Sequence, residues 1–275
     1  MGETSTRSVL RSVAGPAVRR LRREWQWRRC GEQLALDRSP PERCPYPVAD
    51  HATPLFRTLS GLDDDLQRNK VVNLRLAVDR LDGLAVGPGQ RLSFWWHVRR
   101  PAARRGFLPG LVLDAGKLTA GTGGGLCQLT NLLYWMTLHT PLTIAERWRH
   151  TYDVFPDAGR TQPFGTGATC AWPSLDLQIA NGTSTTFRLT LQVNATQLVG
   201  AWTADQPALT RYQIYETDHM MVNEAPGVFT RRNVIRRRVL ASSGELVADE
   251  LVTGNRALLM YQPFLESGHG PTPDP

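Results

Sequence analysis

Nowhere in its 275 residues does the chain carry an apolar run of the ~20 residues that cross a bilayer as a helix. Arginines crowd its start, but no continuous apolar segment follows them. Neither a secretory nor a twin-arginine signal is expected, and the expected location is cytoplasmic. Cysteine is scarce. Cys30, Cys44, Cys127 and Cys170 are irregularly spaced, which argues against a disulfide framework. A Cys30–Cys44 bridge is allowed by count but disfavoured in a reducing compartment. No His-x-x-x-His or Cys-x-x-Cys pair occurs, so no metal and no cofactor are expected. Internal repeats and low-complexity segments are missing as well.

The charge is uneven. The formal net charge is +7, yet residues 1–30 hold eight arginines against Glu3 and Glu24, a local +6. The basic excess therefore describes a tail rather than a nucleic-acid-binding face, and no nucleic acid is expected as a partner. With Leu10, Val13, Ala17, Leu21, Trp25 and Trp27, this tail reads as a basic helix. It either lies on an anionic membrane surface or packs its apolar side on the body with its arginines in water.

The remainder, at 41% hydrophobic residues overall, can bury a full core. Five prolines between 38 and 54 predict an irregular connector or extended arm. A helical period runs from Asn69 to Val86. Arg91 to Val98 reads as a strand with Phe94, Trp95 and Trp96, and Leu111 to Leu113 as a short strand. A helix is expected from Leu126 to His139, and after Pro141 one long strand from Leu142 to Phe155. Leu175–Ile179, Thr186–Val193, Gln197–Thr203 and Arg211–Glu216 alternate as strands; Val228–Leu240 and Leu246–Leu251 suggest a further hairpin. The fold class is α+β, mainly antiparallel sheet with a central helix after a Gly-rich loop and an N-terminal helical segment. Three parts are expected: a basic helix and Pro-rich connector (1–58), a central domain (59–205) and a β-rich extension packed on the same body (206–275).

The most informative stretch is Gly123-Gly124-Gly125-Leu126-Cys127-Gln128. Glycines permit unusual backbone and close ligand approach, and the following helix aims its free N–H groups and positive dipole end at the loop. Cys127 in the first turn is favoured as a thiolate. A base is needed. On a continuous strand, Ile144, Glu146, Trp148, His150 and Tyr152 share one face, which makes His150 the candidate. Asp153 falls on the other face, so Asp176, or Asp157, is the candidate to orient it. Cys127 and His150 could equally be buried core residues. Arg147, Arg149 and Arg160 could bind a carboxylate or simply be solvated. His51, His97, His139, His219 and His269 have no evident partner. The run Arg231, Arg232, Arg236, Arg237, Arg238 reads as charge guarding an edge strand.

These residues carry a resemblance. Asn69-Lys70-Val71-Val72-Asn73-Leu74, Gly87-Pro88-Gly89 with Ser93-Phe94-Trp95, Gly106-Phe107, Gly123 to Leu129, Glu146-Arg147 with His150, Val154 to Asp157, Arg160, Pro163 to Thr169, Asp176-Leu177 and Asn181 resemble the VanW family, the proteins associated with vancomycin B-type resistance clusters. The resemblance covers roughly residues 60–193. It implies a protein of glycopeptide-resistance or cell-wall type. Some longer relatives resemble L,D-transpeptidases in activity, which implies Cys127 as nucleophile, His150 as its base, and N–H groups of Gly123, Gly124 and Gly125 around the oxyanion. Gln128, Arg147, Tyr152, Asp157 and Arg160 are the expected substrate contacts. Longer relatives tend to carry Asp where this chain has Gly167, which leaves Asp176 or Asp157 to orient His150. The expected chemistry is cysteine-dependent acyl transfer or amide cleavage on a peptidoglycan stem or precursor. The alternative is a non-catalytic module that binds such a precursor or a partner protein.

Overall fold

The computed structural model describes residues 6–29, 33–56, 64–114, 117–153 and 162–261. The fold is α+β with mostly antiparallel sheets. The Pro-rich stretch is not merely a connector. Strand β1 (Tyr46–Pro54) opens a sheet that continues through β10 (Gln197–Ala204) and β9 (Phe187–Val193) to β2 (Ala85–Val86). As an edge strand, β1 can host Pro47 and Pro54, because no central ladder needs their missing N–H groups. Its register slips between Pro47 and Ala49.

Helix α2 (Asp64–Leu81) starts with two acidic residues at its positive end and buries Val71, Leu74, Val78 and Leu81 along one side. It stops earlier than the apolar period suggests. Gly83 takes φ +79°, a left-handed turn that ends the helix and releases Leu84 toward β2. The expected strand at 91–98 also divides. Strand β3 (Arg91–Ser93) leads into α3 (Phe94–Val98), because the Ser93 hydroxyl caps that helix, accepting from the Trp96 N–H at 3.2 Å.

The hairpin β4 (Pro109–Asp114)–β5 (Lys117–Thr122) delivers the chain to the glycine run, and α4 (Cys127–Leu138) follows as expected. Helix α4 is the centre of the core. Leu129, Leu132, Leu133, Tyr134, Met136 and Leu138 are all buried, and Thr137 accepts from the indole of fully buried Trp202 on β10 at 3.3 Å.

The single strand expected from Leu142 to Phe155 is broken. Strand β6 (Thr143–Glu146) joins β8 (Gln178–Ala180) and β3 in one sheet. After an irregular segment at 147–151, β7 (Tyr152–Asp153) pairs in parallel with the last strand, β13 (Leu246–Leu259). Long β11 (Thr210–Ala225) and β12 (Val228–Ala241) complete that second large sheet in the order β11-β12-β13-β7. The arginine run therefore lies on a central strand rather than an edge, and its charges are matched by neighbouring carboxylates. Arg232 meets Glu224 at 2.6 Å, Arg236 meets Asp249 at 3.0 Å and Arg237 meets Glu250 at 2.6 Å.

Helix α1 (Thr6–Arg29) docks on the body through two inward residues. Arg23, 5% exposed, makes a forked pair with Glu146, 2.7 Å from each nitrogen to its oxygen, and donates to the carbonyls of Pro173 and Ser174. One turn on, the buried Trp27 indole donates to the Ser93 hydroxyl at 3.0 Å. A forked guanidinium–carboxylate contact is strong and directional, but a buried partner left alone is costly. Replacing Arg23 by Ala should therefore lower unfolding free energy by about 3–5 kcal/mol, read by urea denaturation followed through tryptophan fluorescence.

Candidate active site

The glycine run is held by backbone packing. Gly124 lies directly against Gly110 of β4, where a Cβ on either would strike the other's backbone. Fully buried Asn73 of α2 fixes the approach. Its amide donates to Gly124 O at 2.9 Å and Leu108 O at 3.0 Å, and its oxygen accepts from Leu108 N–H at 2.9 Å. Gly123 and Gly125 both take positive φ, +80° and +91°.

This arrangement corrects the expected role of the glycines. Gly123 N–H donates to Leu108 O and Gly124 N–H to Gly121 O, both at 2.9 Å, and both residues are buried. Neither N–H remains for an oxyanion. Among the described residues, the N–H groups of Gly125, Leu126 and Cys127 have no hydrogen-bond acceptor. These are the free donors expected at a helix start.

Cys127 is half-buried at the first residue of α4. Its sulfur lies 3.9 Å from the sulfur of Cys170 and 3.7 Å from the Cys170 carbonyl oxygen. The imidazole of His150 lies close enough to the same thiol to favour its ionised form. Together these hold Cys127 well below the usual thiol range. The Cys170 thiol contributes most, burial opposes it, and His150 adds to the lowering. Cys170 moves the other way, well up, through burial and then through the neighbouring Cys127.

Cys170 and His150 reach this sulfur on two irregular segments tied to α4 and to β13. Thr130 donates to Ala168 O at 2.6 Å, and Asn131 accepts from Ala168 N–H at 2.7 Å. Thr169 N–H bonds Trp148 O at 2.8 Å. On either side of exposed His150, Arg149 donates to Asn255 at 2.9 Å and Thr151 O accepts from Leu258 N–H at 2.9 Å. The imidazole is therefore placed by pinned neighbours, not by strand alternation, since no continuous strand runs through it.

Other expected site residues are engaged elsewhere. Asp176 is fully buried and does not orient His150. It accepts from the Ser93 hydroxyl at 2.6 Å, Trp95 N–H at 2.9 Å and Gln178 at 3.2 Å, with Arg23 3.8 Å away. Burial raises its carboxyl to about 6, so it anchors α3 and α1 rather than serving the imidazole. The Gln128 amide donates to Thr53 and Pro54 at the end of β1, at 3.0 and 2.8 Å. Arg147 clamps the carbonyls of Gly165 and Gly167 and lies 4.3 Å from the Tyr134 ring, so its cation is already used. Tyr152 is half-buried in β7. Asp157 and Arg160 lie outside the described residues, as do Cys30 and His269.

Sequence reasoning missed Cys170, Asn73, Thr130 and Asn131. Only the closeness of Cys170 to the matched stretch Pro163–Thr169 signalled it. Cys44 is buried and free. A cavity of about 740 Å³ is lined by Trp135 of α4 and by His139 just after its end, and Cys127 does not line it. Among the described residues no cluster could hold a metal ion, and no helix is long and apolar enough to cross a membrane.

The family described as "VanW like protein" matches residues 69–203, which contain Asn73, the glycine run, Cys127, His150 and Cys170. Over 223 residues the chain is 34% identical to the Vancomycin B-type resistance protein VanW of Enterococcus faecalis (strain ATCC 700802 / V583), covering 81% of each protein. The chain belongs to the VanW family. Similarity to the uncharacterized protein YoaR of Bacillus subtilis (strain 168) is narrower: 28% identity over 109 residues, 40% of this chain and 34% of that protein. No solved structure matches. In this VanW-family chain, alkylation by iodoacetamide should persist at Cys127 well below the ordinary thiol titration near ~8.5. Cys170→Ala and His150→Ala should each move that midpoint upward, because each removes a group that favours the thiolate. Mass spectrometry of the labelled peptide against pH checks both.

Proposed function

We propose that this VanW-family protein is a cysteine acyltransferase acting on a peptidoglycan stem peptide or its precursor. The observation that carries the reading is the Cys127 thiol, half-buried at a helix start, with its ionised form favoured by the Cys170 thiol 3.9 Å away and by the exposed imidazole of His150. The thiolate attacks a stem carbonyl carbon. The resulting oxyanion is met by the free N–H groups at the start of α4, those of Leu126 and Cys127. His150 protonates the departing amine as the tetrahedral intermediate collapses to a thioester. A second stem amine then attacks the thioester, giving an L,D-transpeptidase-like cross-link; water gives hydrolysis instead. His150 takes the attacking proton, and the thiolate leaves.

The test uses muropeptides. Cys127→Ala should abolish both cross-linking and hydrolysis, and His150→Ala should lower turnover while leaving substrate binding intact. Activity that survives Cys127→Ala rejects the enzyme. Binding that persists unchanged after thiol alkylation, with no turnover in the unmodified protein, favours the alternative of a non-catalytic module holding the same precursor.

The same reading extends to where the protein works. Helix α1 uses Arg23 and Trp27 inward, which leaves Val18, Leu21 and Trp25 facing solvent at 60%, 65% and 53% exposure. Exposed Arg19, Arg22, Arg28 and Arg29 accompany them, and the Arg29 guanidinium stacks 3.9 Å over Trp25. An apolar strip edged by guanidinium groups matches an anionic lipid surface. Co-sedimentation should occur with phosphatidylglycerol vesicles but not phosphatidylcholine vesicles, weaken with salt, and be lost in Leu21→Glu/Trp25→Glu. Equal binding to both vesicle types, or to neither, rejects the membrane contact.

A further inference from the structure

We propose that Cys127 and Cys170 form a reversible disulfide, closed by peroxides and opened by dithiols. The proposal rests on the reading of Cys127 as nucleophile only for its consequence, loss of activity; the bond itself stands on geometry. Two free sulfurs lie 3.9 Å apart, each on a half-buried residue. A disulfide spans about 2.05 Å, so the sulfurs, 3.9 Å apart, must approach by about 1.85 Å. Cys170 sits in an irregular segment between the isolated bridges at Thr169 and Ala171, where a side chain can turn without breaking a sheet.

The chemistry balances. The Cys127 thiolate attacks one oxygen of hydrogen peroxide, giving the sulfenic acid and hydroxide. The Cys170 sulfur then attacks the Cys127 sulfur and expels a second water, and the proton shed when Cys127 ionised neutralises the hydroxide. Two thiols and one peroxide become one disulfide and two waters, with two electrons passed to the peroxide. The two sulfurs take unlike parts. Cys127, whose thiolate is favoured, is the one that meets peroxide, while Cys170, pushed the other way, lies 3.9 Å from it. Once Cys127 is a neutral sulfenic acid, the charge that helped to keep Cys170 protonated is gone, and Cys170 is freed to attack. Closure removes the nucleophile from the site and protects it from irreversible sulfinic acid. Cys44 does not compete: it is 2% exposed and burial pushes its thiol up.

The experiment treats the full chain with hydrogen peroxide, blocks remaining thiols, digests with trypsin without reduction and sequences linked peptides by mass spectrometry. Peptides 118–147 and 161–188 carry Cys127 and Cys170 respectively. The expected result is that pair joined, with loss of iodoacetamide labelling at Cys127 that dithiothreitol restores. In Cys170→Ser the link should vanish and Cys127 should advance to sulfinic acid. Sulfinic acid at Cys127 in the unaltered protein with Cys170 unmodified overturns the proposal. So does a link from Cys127 to Cys30 or Cys44, or no oxidation at either sulfur. The linkage is read without any substrate. If it forms while Cys127→Ala retains turnover on muropeptides, the catalytic reading fails and the disulfide stands.

Discussion

The peptide unit of Ala168 is the constraint on which the candidate site depends. Two consecutive side chains of α4 grip it from both sides, Thr130 on its oxygen and Asn131 on its nitrogen. A buried backbone group with no partner costs a few kcal/mol, so this segment has one favourable seat on the helix. That seat fixes Cys170 two residues on, and Cys127 lies one turn before Thr130 on the same helix. The Arg147 guanidinium, holding Gly165 and Gly167 from the next segment, closes the third side. Three stretches far apart in sequence thus meet at one sulfur through hydrogen bonds to main-chain atoms.

The glycine run and the buried acid have roles different from those their residue types suggest. Triple glycine before a helix reads as a cradle for a ligand. Here Gly124 is spent on contact with Gly110, and the donors left open are one to three residues further along. Asp176 reads as the third member of a nucleophile–base–acid series. Here it holds the Ser93 cap and the first turn of α3, beside the guanidinium of Arg23. An imidazole can still accept and return a proton without a carboxylate behind it, but its orientation then rests on the pinned backbone around it.

Much of the fold was legible because its signals are local. Helix α4, strands β9 and β10 and the long C-terminal hairpin follow from apolar spacing and turn residues. The misreadings have specific causes. Gly83 ended α2 although the apolar period continued to Val86. Ser93 turned an aromatic strand into a capped helix. Pro47 and Pro54 looked like strand breakers until β1 proved to be an edge. In the site, Cys127 and His150 were readable from helix position and residue type, although the strand argument that paired them was wrong. Cys170 and Asn73 were not readable, because their roles come from contacts across 43 and 51 residues that no local pattern encodes.

The anchor of α1 has a consequence for assembly. Arg23 finds Glu146 across 123 residues and Pro173 across 150. A chain emerging from the ribosome at ~5–20 residues per second therefore exposes this helix for several seconds before its seat exists. Throughout that interval Arg23 and Trp27 lack their partners on the body, and docking of this helix becomes a late event of maturation. For this helix the order of synthesis and the order of assembly are opposed.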